Sequence, residues 1–148
     1  MEFNEKTGTN TDGLNGSGSF SHASIVWGGI EADRNSFAYR MAQTMICSGT
    51  GMKPCLYCAH CKKSSRMIHP DIIFIDRLGD ARNILVDQIR ALKEDAVIMP
   101  NEASVKVYIL HHADSMNAQA QNAILKLLEE PPAKLAFRWR LQLGRLKV

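Results

Sequence analysis

The stretch VKVYILHHADSMNAQAQNAILKLLEE, residues 105–130, decides the fold. Its continuous apolar start, VKVYIL at 105–110, predicts a strand that is covered on both faces, as strands of parallel sheets are. The segment 117–130 then predicts an amphipathic helix, which Pro131 and Pro132 terminate. The apolar stripe of this helix is Ala120, Ala123, Ile124, Leu127 and Leu128. A buried strand followed by an amphipathic helix is the repeating unit of α/β folds.

The same unit occurs twice upstream. The run at 72–75, IIFI, predicts a second buried strand, and Leu85, Ile89, Leu92 and Ala96 give the helix after it. The run SIVWGG at 24–29 predicts the first strand and turn. The helix that follows is marked by Phe37, Met41 and Met45, with Ala38, Ala42 and Ile46 beside them. The order β-α-β-α-β-α predicts an α/β layer fold with a mainly parallel sheet.

All four cysteines of the chain lie between Cys47 and Cys61, with the spacing C-x7-C-x2-C-x2-C. A tetrahedral zinc accepts four thiolates, and closely spaced cysteines wrap one side of it. We therefore expect Cys47, Cys55, Cys58 and Cys61 to hold structural zinc. Four thiolates leave no open position for water, so a catalytic role is not expected.

Other chemistries are open at the same cysteines. The C-x2-C-x2-C run also opens iron–sulfur motifs, but the Cys-Pro of ferredoxins does not follow. A thiol redox pair is a second alternative, and His60 is a spare metal ligand. Lys53, Lys62 and Lys63 flank the loop and would temper the charge of four thiolates. The N-terminus has no signal-peptide pattern, so we expect a cytoplasmic protein with reduced thiols and no membrane association.

The turn after the first strand has the position of a phosphate loop but not its residues. A P-loop needs G-x4-G-K-[ST], because its glycines let backbone N–H groups surround the phosphates. Here Asp33 stands at the second glycine position and Arg34 at the lysine position. The positions of this degenerate loop are Gly28, Gly29, Asp33, Arg34, Asn35 and Ser36. We expect no ATP binding and no catalytic residues.

The end of the third strand lacks the acidic residues of a nucleotide hydrolase. His111 and His112 follow the apolar run directly, and Asp114 comes two residues later. Adjacent strand residues point to opposite faces, so the two histidines are not expected to share a metal. Both halves of an ATPase centre are therefore missing from the sequence.

Charge is uneven along the chain. Residues 1–130 carry 13 Lys+Arg against 15 Asp+Glu, and every charged residue after Glu130 is basic. These residues are Lys134, Arg138, Arg140, Arg145 and Lys147. A basic end attracts nucleic acid or acidic lipid, although a solvated, unstructured end is the simpler interpretation.

Five motifs in order resemble the AAA+ clamp-loader family of bacterial DNA polymerase III, which contains the delta-prime and gamma/tau subunits. They are SHA at 21–23, the cysteine insert at 47–61, VDQIRALKED at 86–95, KVYILHHAD at 106–114 and AQNAILKLLEEPP at 120–132. The resemblance covers residues 21–137, the first AAA+ module of proteins about twice this length. It implies a partial AAA+ domain with an inserted zinc module.

The resemblance also implies a role. Within the family gamma/tau is the ATPase and delta-prime is the inactive member. The phosphate lysine of the family would fall at Arg34 and its acidic pair at His111 and His112, which favours a non-catalytic, delta-prime-like subunit. Its partners would be gamma/tau and delta, and indirectly the sliding clamp and primed DNA. The alternatives are a diverged gamma/tau ATPase and a free-standing zinc module that binds nucleic acid.

The resemblance fails after Phe137. The family continues with a strand and an S-R-C motif, whereas this chain reads RWRLQLGRLKV. We therefore expect a truncated or frameshifted product with an atypical basic tail at 138–148. Residues 1–20, rich in Gly, Ser, Thr and Asn, are expected to form a flexible leader.

Overall fold

The structure is a computed structural model that describes residues 23–26 and 29–130, together with the backbone of 139–143. The predicted leader lies outside the described residues. So do Gly28 of the degenerate phosphate loop and, in the predicted tail, residues 138 and 144–148.

Four parallel strands form one sheet in the order β1-β4-β3-β2. The strands are β1 (Ala23–Ile25), β2 (Ile72–Ile75), β3 (Lys106–Leu110) and β4 (Trp139–Leu143). β3 lies inside the sheet, and all five of its residues are buried. The apolar run of β3 is continuous because the strand is buried on both faces, as the sequence predicts. The α/β class with a parallel sheet is confirmed.

Four α-helices are described: α1 (Glu31–Ile46), α2 (Ala59–Ser65), α3 (Val86–Ala96) and α4 (Ala118–Glu129). α4 begins at a regular cap, because Asn117 Oδ1 accepts a hydrogen bond of 2.8 Å from the N–H of Ala120. α2 begins inside the cysteine segment, residues 47–61, and continues past it to Ser65; the sequence does not predict this helix. A 3₁₀ turn at Ala113–Ser115 links β3 to α4. Over the part of the chain described here, every helix is too short or too polar to span a membrane.

The helices cover both faces of the sheet. Val107 and Ile109 of β3 pack with α1, while Tyr108 and Leu110 pack with α3 and α4. This division follows from the two-residue side-chain period of a strand. The nucleotide cleft of such a fold lies at the carboxyl ends of the strands, which here means the ends of β2 and β3 and the start of α1.

Two predicted helix stripes each contain one residue that the structure exposes. In α1 the buried residues include Ala38, Ala42 and Ile46, whereas Phe37 is 37% exposed. Before α3, Ile84 is fully buried and Leu85 is 45% exposed. In both cases neighbouring apolar residues fit the same helical period, so periodicity alone does not select which of them meets the sheet.

β4 differs from the sequence expectation for the segment after Phe137. Its backbone pairs in parallel with both neighbours, and Leu141 lies opposite Ala23 on one side and Tyr108 on the other. A gap at this place would leave β1 and β3 with unpaired inner edges. The sequence WRLQL alternates apolar and polar residues, which is the strand signal that the basic composition obscured.

Candidate metal centre and nucleotide cleft

The four cysteines converge in space. Their Sγ atoms all lie within 4.8 Å of one another, and those of Cys55 and Cys61 are 3.9 Å apart. A tetrahedral zinc with bonds of ~2.3 Å to sulfur requires Sγ–Sγ separations of about 3.8 Å. All four thiols are free, because a disulfide would need about 2.05 Å between sulfurs. The geometry fits a single tetrahedral ion.

Backbone N–H groups point at the sulfur atoms. The N–H of Cys55 donates to Cys47 Sγ, that of Cys58 to Cys55 Sγ, and that of Cys61 to Cys58 Sγ, each at 3.4 Å. Such donation stabilises a thiolate relative to a thiol. The C-x2-C spacing produces the last two contacts, because each tight turn brings the amide three residues on to the preceding sulfur, whereas the first contact spans eight residues.

The thiol pKa values shift in opposite directions within the cluster. Burial alone would raise the pKa of Cys58, but the N–H groups of Cys61 and Ser48 outweigh it and lower that pKa to about 5. Burial raises the pKa of Cys61 to about 12, and the neighbouring thiols Cys58 and Cys47 add to the rise. The thiolate of Cys58 therefore forms readily, whereas that of Cys61 does not. A bound cation would supply the charge that brings all four cysteines to the thiolate form.

Gly49 leaves room for the sulfur of Cys55. A Cβ atom at this position would lie 2.6 Å from Cys55 Sγ, 2.8 Å from its Cβ and 3.5 Å from Cys47 Sγ. Real Cβ atoms do not approach other heavy atoms so closely, so no larger residue fits without moving the cysteine loop. The loop is therefore shaped around the sulfur cluster, which supports its interpretation as a metal site.

α2 attaches the cysteine segment to the sheet domain. Tyr39 of α1 donates its hydroxyl proton to the carbonyl of Ser64, and Gln43 Nε2 donates to Ser64 Oγ at 3.2 Å. Lys63 forms a salt bridge with Glu102, in the loop before β3. Lys63 is thus bound to a carboxylate of the domain, while Lys53 and Lys62 are exposed.

His60 contacts His69. His69 Nδ1 accepts a hydrogen bond from the N–H of Asp71 at 3.1 Å, so the neutral ring carries its proton on Nε2. That nitrogen lies 2.9 Å from His60 Nδ1, to which it donates. Glu102 is close enough to complete a metal-binding trio with both rings. A metal on His69 Nε2 would move the proton to Nδ1, against the Asp71 N–H, so hydrogen bonding explains this group better.

Asp71 is a buried carboxylate that organises the loop before β3. It accepts from the backbone N–H groups of Asn101, Glu102 and Ala103 at 2.6 to 2.8 Å. Burial would raise the pKa of this carboxyl, but these donors together hold it below its usual value. Asp71 therefore joins β2, the cysteine segment (through His69) and the 101–103 loop.

The degenerate phosphate loop is replaced by an early helix. α1 begins at Glu31, so Asp33 and Arg34 lie in its first turn, and the guanidinium of Arg34 donates to the carbonyl of Gly29 at 2.8 Å. Glu31 and Asp33 place two carboxylates where a phosphate would need N–H groups and cations. Gly29 adopts φ of +57°, and a Cβ there would meet no atom within 4 Å.

The two histidines after β3 both reach α1. His111 Nδ1 lies 3.1 Å from Asn35 Oδ1. His112 adopts a left-handed backbone with φ of 52°, and its ring lies between Asp76 and Glu31 at 2.9 and 3.0 Å. No metal-binding group among the described residues includes either histidine.

Sequence reasoning missed the residues that support these sites, namely Gly49, Ser64, His69 and Asp71. Most of their contacts join segments distant in sequence, as between Asp71 and the loop at 101–103. Gly49, two residues after the first cysteine, is a local sequence signal that could have pointed to one of these supporting residues.

The chain is similar in sequence to known proteins. A family model described as DNA polymerase III, delta subunit, matches residues 11–137. The delta-prime subunit of DNA polymerase III from Bacillus subtilis is 36% identical, over 72% of this chain and 36% of that protein. The tau subunit from the same organism is 34% identical, over 80% of this chain and 21% of that protein. The delta-prime subunit from Pseudomonas aeruginosa is 30% identical, over 80% and 36%.

The chain therefore spans only about a fifth to a third of the length of these relatives. The family match covers most of the chain, from before the first strand to just before β4. The four cysteines and the turn before α1 both lie within the matched residues. On these grounds the chain belongs to the DNA polymerase III delta-subunit family, whose relatives include the delta-prime and gamma/tau subunits.

Proposed function

We propose that the chain is a non-catalytic, delta-prime-type subunit of the DNA polymerase III clamp loader. It acts by binding gamma/tau and delta in the AAA+ ring, and so contributes indirectly to placing the sliding clamp on primed DNA. Its own module neither binds nor hydrolyses ATP. A structural zinc holds the cysteine segment.

The observation that carries the proposal is the first turn of α1. Phosphate binding at a helix N-terminus depends on free N–H groups and on positive charge nearby. This turn instead carries Glu31 and Asp33, and Arg34 is directed to the carbonyl of Gly29. An ATP γ-phosphate placed here would meet two carboxylates, and repulsion between like charges opposes its binding.

Zinc would be held by Cys47, Cys55, Cys58 and Cys61. When bound, it supplies a closed four-thiolate centre and no reactive position. The chain orients the ligands with three backbone N–H groups and leaves space for them at Gly49. The segment from 48 to 60 contributes no residue to the two apolar clusters of the core, so metal binding would supply the free energy that orders it.

A gamma/tau-type ATPase is the second candidate, because the tau subunit of Bacillus subtilis is 34% identical. The two candidates differ in nucleotide binding. A gamma/tau-type module binds Mg-ATP, whereas the delta-prime type does not. Isothermal titration of Mg-ATP into the zinc-loaded chain separates them.

Assembly tests the role itself. The zinc-loaded chain is mixed with gamma/tau and delta from the same organism, and the products are weighed by native mass spectrometry. We expect a complex that contains one copy of the chain, and the same mixture without it provides the control mass. A chain that stays free at micromolar concentrations, while gamma/tau and delta assemble, would contradict the proposed role.

A further inference from the structure

His111 and His112, at the positions where an ATPase of this family has its acidic pair, both contact α1. Glu31 and Asn35 lie one helical turn apart, so their side chains share a face of α1. His112 contacts the first of them and His111 the second. Two consecutive residues after β3 thus bind two successive positions on the same face of α1.

His112 also reaches the end of β2. Its Nδ1 lies 2.9 Å from Asp76 Oδ1, and its Nε2 lies 3.0 Å from Glu31 Oε1. Both partners are carboxylates, which only accept hydrogen bonds, so a ring N–H of His112 is the donor in a bond with either one. The donation from His112 and the N–H of Arg77 keep the pKa of Asp76 below its usual value, although burial acts in the opposite direction.

The backbone is adapted to these contacts. His112 has φ of 52°, a left-handed conformation that is uncommon for residues with a side chain. This turn comes after the end of β3, so the side chain of His112 does not follow the alternating directions of the strand side chains. His111 is additionally packed against Phe74 of β2, with ring centroids 5.6 Å apart. Burial lowers the pKa of His111, which favours its neutral form.

From these contacts we infer that Glu31, Asn35, Asp76, His111 and His112 form an internal clasp that replaces the bridging role of a nucleotide. In an active module of this fold, ligand phosphates would join the start of α1 to the ends of the strands. Here His112, which follows the end of β3, contacts Glu31 at the start of α1 and Asp76 at the end of β2. The clasp fixes the cleft without any ligand, and His112 is its positioning residue. The inference rests on the proposed absence of nucleotide binding.

Hydrogen–deuterium exchange tests the clasp. The readout is the set of amides at 34–37, the first that bond to carbonyls at the start of α1. His112→Asn is the main variant, because asparagine tolerates the left-handed backbone and is too short to join both carboxylates. Glu31→Gln is the second variant. Asp33→Asn is the matched control, since Asp33 is an exposed carboxylate in the same turn.

We expect His112→Asn to speed exchange at 34–37 about fivefold, which corresponds to the loss of two partly exposed contacts. Glu31→Gln should give a smaller increase, and Asp33→Asn none. The amides of α4 should not change in any variant, which separates a local clasp from a general loss of stability. Equal exchange in His112→Asn and Asp33→Asn would overturn the clasp and leave the proposed function standing. Protection of the wild-type amides by Mg-ATP would overturn the proposed function instead.

Discussion

A Cβ atom on Gly49 would lie 2.6 Å from the Sγ atom of Cys55. The backbone of Gly49 does not need a positive φ, so an alanine there is excluded by space and not by conformation. The close approach makes Gly49 part of the candidate metal centre, although it offers no ligand atom.

Gly49→Ala should weaken metal binding by displacing Cys55. Changes next to metal ligands typically cost about 10- to 100-fold in metal affinity, and we expect a loss in that range. The measurement is competition for zinc against a chromophoric chelator. Thr50→Ala is the matched control, because Thr50 is the exposed neighbour of Gly49. Equal affinities for the two variants would contradict the steric role given to Gly49.

Cys58→Ser should lower both the zinc content and the melting temperature. Structural zinc contributes directly to folding, so the loss of one thiolate removes part of that free energy. Zinc content is measured by atomic emission and stability by thermal unfolding. A strong chelator should destabilise the wild type and have little further effect on Cys58→Ser. If the chelator lowers both melting temperatures equally, the four-thiolate site is wrong.

Asp71→Ala should destabilise the chain by about 3 kcal/mol or more, since it leaves three backbone N–H groups without their acceptor. Urea unfolding measures the change in free energy. Asp80→Ala is the control and should change the stability by less than about 0.5 kcal/mol, as exposed surface substitutions usually do. A loss in Asp71→Ala no larger than in this control would remove Asp71 from the organising role given above.

Acid should remove the contribution that Asp71 makes to the stability of the fold. Its pKa in the folded chain is lowered, relative to about 3.9 for an unperturbed aspartate. A depressed pKa stabilises the fold at pH above that value, and the benefit is lost as pH falls through the folded pKa. The gap in melting temperature between wild type and Asp71→Asn should therefore be widest above about pH 4 and narrow below it. A gap that stays constant down to about pH 2.5 would contradict this linkage.

The sequence predicted the bounds of three elements closely, although β2 is less buried than expected: it is the last strand in the described sheet order, and only Ile72 of its residues is buried. β2 was predicted with its observed bounds, and the predicted spans of β3 and α4 include one extra residue at the start of β3 and one at each end of α4. α2 was missed because its sequence, AHCKKSS, has no apolar stripe, and its order depends on partners elsewhere in the chain, such as Tyr39. Its boundaries follow from the cysteine turns and not from helical periodicity.

The sequence identified the four cysteines that the structure brings together, but it did not identify the residues that surround them. Four cysteines in fifteen residues identify a cluster, whereas the chain of contacts through His69 and Asp71 joins distant segments. The histidines after β3 show a different limit. Strand alternation was applied to them, but β3 ends at Leu110 and His112 is left-handed, so both side chains reach α1. Rules for regular strands do not extend past the last paired residue.

The response of thermal stability to Mg-ATP tests the central proposal most directly. A ligand at 100 times its dissociation constant stabilises a protein by about 2.7 kcal/mol, which is several degrees or more in melting temperature for a domain of this size. The zinc-loaded chain is scanned with and without millimolar Mg-ATP, beside a gamma/tau subunit as positive control. We predict no change for this chain and a clear rise for gamma/tau. A rise of several degrees in this chain would contradict the non-catalytic assignment and favour a gamma/tau-type ATPase.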